Sequence, residues 1–156
     1  MTNTSRYIRA VLWDMDGTLM DSQPLWDESF RNCCRERGGT VTPEQVAGIA
    51  GASIARTCEL IAETGATASP EDPATAEVFA EISARVEAAV RADPPILPGA
   101  RSITATLNEI GLAQVIVTQS PRPIVEAVAH ALGDVFVDLV TGDDGLPGKP
   151  TPAPYA

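Results

Sequence analysis

The sequence predicts an α/β fold in which a parallel-sheet core, incomplete towards its C-terminus, carries an inserted block of α-helices. Three observations lead there. An apolar run, Ile8–Trp13, breaks off into Asp14-Met15-Asp16-Gly17, as a strand entering a tight loop does. From Ser22 to Ala92 the pattern is helical throughout, with no strand signal. From Asp93 onward, helix and strand patterns alternate, which implies βαβ units and a parallel sheet. The first strand and the later ones are expected in one sheet. Residues 1–20 and 94–156 then make the core and residues 21–93 the helical insert.

The elements follow in order. Leu25–Arg37 reads as a helix, with Ser22 at its N-cap and Gly38-Gly39 as its stop. Thr42-Pro43-Glu44-Gln45 combines a capping box with proline at the first helical position and opens a short helix to about Ala50. Another helix begins at Ser53 and ends at Gly65, with Ile54, Cys58 and Ile61 on one face, and Gly65–Pro73 is loop by composition. Between Ala74 and Ala92, Val78, Ile82, Val86 and Val90 recur at helical spacing. After the proline-rich stretch 93–99, a helix shows Ile103, Leu107 and Ile110 on its apolar face and stops at Gly111. A strand spans Ala113–Thr118, a helix opens at Pro121 and Pro123 and closes at Gly133, and a further strand lies near Val137–Thr141. The tail Asp143–Ala156 holds four prolines and two glycines and ends on no regular element. Three strands with few helices bury little surface, so such a core is marginal.

Bulk properties narrow the function. A chain of 156 residues fits one domain, or a small core with an inserted subdomain. Aromatic residues make up 4%, so the core must rest on Ala, Val, Ile and Leu. Eleven Lys and Arg against 21 Asp and Glu give 11 − 21 = −10 at pH 7. That charge argues against nucleic acid or an anionic membrane as partner. It would also repel a phosphate, so a phosphate site needs its own local cation. Cys33, Cys34 and Cys58 are odd in number and lack C-x-x-C spacing, which argues against a disulfide framework or a zinc site. The first residues show no leader pattern and no apolar run reaches the ~20 residues a bilayer requires. A cytoplasmic, soluble protein is expected.

The chemistry concentrates at Asp14-Met15-Asp16-Gly17-Thr18-Leu19. Two carboxylates at i and i+2 on a loop leaving a buried strand can converge on one small volume. Such a pair needs a cation beside it, and hard oxygens suit Mg²⁺. A carboxylate can attack phosphorus and become an aspartyl-phosphate. The second can then protonate the leaving oxygen and later take a proton from water. Gly17 permits the sharp turn and Thr18 adds a hydroxyl.

Here the sequence resembles the haloacid dehalogenase-like superfamily, and two further segments follow in that family's order. Val115-Ile116-Val117-Thr118-Gln119-Ser120 is similar to the strand ending in Ser or Thr that binds the phosphoryl oxygen. Gly148-Lys149-Pro150-Thr151-Pro152 is similar to the family's G-K-P-x-P segment, and Lys149 is the single lysine of the chain. The resemblance implies a Rossmann-like core with a helical cap over residues 21–93. It implies Asp14 as nucleophile and Asp16 as general acid and base. Thr118, Gln119, Lys149 and Gly17 are the implied phosphate contacts, and Mg²⁺ would sit on Asp14 and the Asp16 backbone carbonyl. Gly51-Ala52-Ser53 resembles the cap's substrate loop. Asp16 points to phosphatases and phosphomutases rather than dehalogenases, and Asp21-Ser22 follows the branch of phosphoglycolate phosphatase and β-phosphoglucomutase. The expected function is hydrolysis of a small phosphorylated metabolite. Rival readings are a phosphomutase and a non-catalytic module of the same fold.

In the family pattern a fourth acidic motif lies on another strand beyond the G-K-P segment, and the sequence stops before it. Asp143 and Asp144 precede the lysine and are expected to form a polar loop. Weak Mg²⁺ affinity and an unpaired first strand are the corresponding expectations.

Overall fold

The computed structural model of the chain describes residues 8–156. Residues 1–7 lie outside the described residues, with the start of the segment 1–20 assigned to the core and most of the stretch read for a leader. Strands β1 (Ala10–Trp13), β2 (Ala113–Val117) and β3 (Asp138–Val140) form one parallel sheet in the order β1-β2-β3. Between β1 and β2 come α1 (Gln23–Glu36), α2 (Pro43–Ala47), α3 (Ile54–Glu63), α4 (Pro73–Ala92) and α5 (Ala100–Glu109). Helix α6 (Arg122–Ala131) connects β2 to β3, and a 3₁₀ turn, Ala153–Tyr155, closes the chain. No helix among the described residues is long and apolar enough to cross a membrane.

Strand alternation divides the sheet into two unlike faces. Trp13, Ile116 and Leu139 are in register on one face, beside Val11 and Gln114, and this face packs on α6 and the end of α4. Gln114 is fully buried there and both ends of its amide are engaged: it accepts from Trp13 Nε1 at 3.0 Å and donates to the Thr104 carbonyl of α5 at 2.9 Å. A buried amide needs such partners to offset its desolvation. The other face is partly open, with Leu12 46% exposed and Ala113 and Val115 only half-buried. β1 is an edge strand of this sheet.

Two apolar clusters fill the molecule. Met15, Leu19, Met20, Ile116, Ile124 and Val128 anchor the one beneath the sheet. Phe30, Cys33, Val46, Leu60, Ile61 and Val78 belong to the other, among α1–α4. Helix α4 enters both, through Val78 and Ile82 at one end and Val86 and Val90 at the other, all essentially inaccessible. The chain leaves and rejoins the core through two paired linkers: Asp21 N–H donates to Pro95 O and Leu97 N–H to Leu19 O, each at 2.9 Å. We propose residues 21–93 as the cap on the strength of this paired entry and exit.

Local signals explain most helix boundaries. Thr42 and Gln45 form the capping box, and Ser53 accepts from Arg56 N–H at the start of α3. Asp72 caps α4, which begins at Pro73, one residue ahead of the predicted start. Two expectations are corrected. Ser22 occupies the N-cap position of α1 but makes no capping bond, because its hydroxyl turns to Asp16. The apolar face read for α5 is not the buried one: Ile103 and Ile110 are 47% and 70% exposed, while Ala100 and Thr104 are buried. Gln114 draws the Thr104 side onto the sheet, and small residues allow that close approach. Cys33, Cys34 and Cys58 are free, and burial raises all three thiols, Cys33 to about 11.

Candidate active site

The C-terminal ends of β1 and β2 point into one cleft beneath the helical block. At the exit of β1 the backbone folds back at once, with Gly17 N–H donating to Met20 O and the amides of Thr18, Leu19 and Met20 all directed at Met15 O. Gly17 takes φ +77°, a left-handed conformation that glycine adopts without side-chain strain. This turn leaves Asp14 half-exposed at the cleft floor and holds Asp16 against β2.

Asp14 is bracketed by two groups. Lys149 Nζ, 135 positions away, donates to Oδ1, and Thr18 Oγ1 donates to Oδ2 at 2.9 Å. Lys149 reaches the site from the proline-rich tail, where the Lys149–Pro150 peptide is cis. Asp16 gathers three hydroxyls: Ser22 on Oδ1 at 2.5 Å, with Thr118 at 3.0 Å and Ser120 at 2.7 Å on Oδ2. Thr118 and Ser120 follow the end of β2 in a turn where Ser120 N–H donates to Thr118 Oγ1 at 3.1 Å, which brings both hydroxyls to the same carboxylate. Thr118 N–H pairs with Val140 O, which ties this loop to β3.

The sequence-predicted residues therefore meet, with particular placements. Asp14, Asp16, Gly17, Thr118, Gln119 and Lys149 line one cavity of about 270 Å³. Gln119 does more than line it: Nε2 donates to the Gly51 carbonyl at 2.8 Å, a bond from the sheet end to the helical block. Gly51 and Ala52 face the same cavity, whereas Ser53 lines an adjoining one and spends its hydroxyl on the α3 cap. The fit around Gln119 is close, since a Cβ at Gly142 would collide with its backbone carbonyl. Asp143 and Asp144 stay out of the cavity. Asp143 accepts from Arg122 N–H at the start of α6, and Asp144 accepts from the Arg122 guanidinium and Thr141 N–H.

Sequence reasoning missed Ser22 and Ser120 as partners of Asp16. The signal for Ser120 was its i+2 spacing from Thr118; Ser22 was masked by its position one residue before a helix. The upper wall, formed by Trp26 on α1, Ile49 after α2, Ile54 on α3 and Phe79 on α4, was likewise unread. Residues so far apart in sequence signal no shared surface.

The donor set fits a hard cation. Each Asp14 oxygen retains acceptor capacity beyond its bonds to Lys149 and Thr18. The described residues group no third acidic side chain with Asp14 and Asp16. Two protein oxygens suit Mg²⁺, which commonly keeps several waters and binds through one or two carboxylates plus a substrate phosphate.

Known proteins share this arrangement of chain. It is 30% identical over 146 residues to a phosphoglycolate phosphatase of Rhodobacter capsulatus, a match covering 92% of this chain and 66% of that protein. It is 30% identical over 158 residues to hexitol phosphatase B of Escherichia coli (strain K12), covering 98% and 69%. Among solved structures, a β-phosphoglucomutase from Clostridium difficile superposes with a TM-score of 0.77 over 96% of this chain and 68% of that one, at 17% identity, a likeness of fold. The chain thus spans about two thirds of the length of the relatives it matches. A model of the haloacid dehalogenase-like hydrolases matches residues 8–156, and the chain belongs to that family.

Proposed function

We propose that this chain carries the site of a Mg²⁺-dependent phosphomonoester hydrolase that works through an aspartyl-phosphate on Asp14. The carrying observation is the convergence of Lys149 and Thr18 on Asp14, beside an Asp16 that three hydroxyls hold in place. Kinship with phosphatases named for phosphoglycolate and for hexitol phosphates supports the class of substrate, a small phosphorylated metabolite.

Lys149 offers the compact cation that a chain of net charge −10 needs in order to admit a phosphate. On substrate entry it exchanges part of its hold on Asp14 for a phosphoryl oxygen, with Thr118 and the backbone at Gly17 as further donors. Asp14 and the Asp16 backbone carbonyl would hold Mg²⁺, which supplies charge neutralisation for the phosphoryl group. An oxygen of Asp14 attacks phosphorus in line, the bond to the ester oxygen breaks, and Asp16 gives that oxygen its proton. Asp16 then takes a proton from water as the water attacks the acyl phosphate, releasing inorganic phosphate and restoring Asp14. Ser22, Thr118 and Ser120 orient Asp16 for both transfers. The helical cap, tied down by Gln119 and Gly51, limits bulk water during the reaction.

The test is release of inorganic phosphate from 4-nitrophenyl phosphate with and without Mg²⁺. Asp14→Asn should abolish metal-dependent release, and Asp16→Asn should slow it about 10²–10⁴-fold, the usual weight of a general acid. Turnover that survives Asp14→Asn would refute the nucleophile. A phosphomutase differs in handing the phosphoryl group to a sugar hydroxyl, and phosphate release distinguishes the two.

A further inference from the structure

The cavity has two walls of opposite character. Its floor carries Asp14, Asp16, Thr118 and Lys149, whereas its roof is made of Trp26, Ile49, Ile54 and Phe79. The two polar side chains of the roof are already engaged. Gln23 donates to Asp27 at 2.6 Å, and Thr57 donates to the Ser53 carbonyl at 3.1 Å and is buried. Among the described residues the lining holds no arginine and no histidine, and its one lysine sits on Asp14. No arginine of the cap lines the cavity, and three are paired with carboxylates elsewhere: Arg56 with Glu59 and Glu63, Arg85 with Glu36 and Glu81, Arg37 with Glu81.

Resting on the proposed phosphatase reading, we infer that the leaving group is a small uncharged alcohol with an apolar flank, and that phosphate esters bearing a second anion are excluded. A carboxylate or second phosphate on the leaving group would press against indole, phenyl and branched aliphatic surface with no cation to meet it. Burying an unpaired charge in that way is strongly unfavourable. An alkyl or aryl flank instead trades water for apolar contact and leaves the phosphoryl end to Lys149 and Thr118.

Trp26 makes the inference measurable by binding, without any dependence on turnover. Its fluorescence should respond to ligands entering the cavity in Mg²⁺ buffer, and Trp26→Phe should remove that response. The matched probes are propyl phosphate and 2-phosphoglycolate, close in size and differing by a carboxylate. Propyl phosphate is expected to bind about tenfold tighter or more, the scale at which pockets discriminate a single group. Phe79→Arg should reverse the preference by placing a cation on the roof, and Ile54→Lys gives a second, independently placed version should the first not fold. Equal or tighter binding of 2-phosphoglycolate to the unmodified chain would overturn this inference and leave the phosphatase reading intact. If propyl phosphate, 2-phosphoglycolate and inorganic phosphate all fail to bind the folded chain, the phosphate site itself is refuted and the inference falls with it.

Discussion

Three hydroxyls converge on Asp16, and their geometry sets what single substitutions should do. Ser22 and Ser120 bind opposite oxygens of the carboxylate, so losing either lets the group rotate while Asp14 and Lys149 stay in place. Ser22→Ala and Ser120→Ala should each reduce turnover of an aryl phosphate roughly tenfold, the effect of about 1.5 kcal/mol for a hydrogen bond to a charged group. Steady-state kinetics beside thermal melts would separate this from a loss of folding. Asp144 gives a pH-dependent counterpart away from the cavity. Burial alone would raise its pKa, but hydrogen bonds from Arg122 and Thr141 outweigh it and hold the carboxyl below its ordinary 3.8. A folded value below the unfolded one means that its stabilising contribution is complete above about pH 3.8 and disappears as pH falls through the folded value. Asp144→Asn should therefore lower the melting temperature at neutral pH and leave it unchanged well below pH 3.8. Equal effects at both would show that the charge is not what matters.

At the scale of elements, α4 and α5 show how far periodicity can be trusted. Both display apolar residues at helical spacing, yet only α4 buries its stripe. Val78, Ile82, Val86 and Val90 form one stripe that spans two apolar clusters. Ile82→Ala should cost about 2–5 kcal/mol, as truncation of a fully buried isoleucine does. Ile110→Ser at the C-cap of α5 should stay within about 0.5 kcal/mol, the range of surface changes. Denaturant unfolding of the two variants checks both at once, and a comparable loss in each would contradict the exposure of Ile110. The reason α5 departs from its pattern lies outside the helix. A buried glutamine on β2 needs a carbonyl, Thr104 supplies it, and the helix rotates its small-residue side inward.

For the whole molecule, the consequential feature is the sheet with one well-covered face. Among the described residues β1 is an edge strand, and Leu12, 46% exposed on its partly open face, adds apolar surface to that edge. Leu12→Lys should raise the protein concentration at which the chain begins to associate, read by light scattering; an unchanged onset would place association elsewhere. Much of this architecture was legible beforehand. The strand before Asp14, the helical run from Ser22 to Ala92 and the βαβ alternation after it are local patterns, and local backbone geometry is what hydrophobic spacing and capping residues report. Asp14, Thr118 and Lys149, singled out by their order along the chain, line one cavity. Tertiary structure alone decided that Ser22 turns from its helix to Asp16, that Gln119 reaches across to Gly51, and that Trp26, Ile49, Ile54 and Phe79 form a single roof. Those contacts join residues tens of positions apart, and they depend on strand register and on how helices settle over the sheet, quantities that no short stretch of sequence encodes.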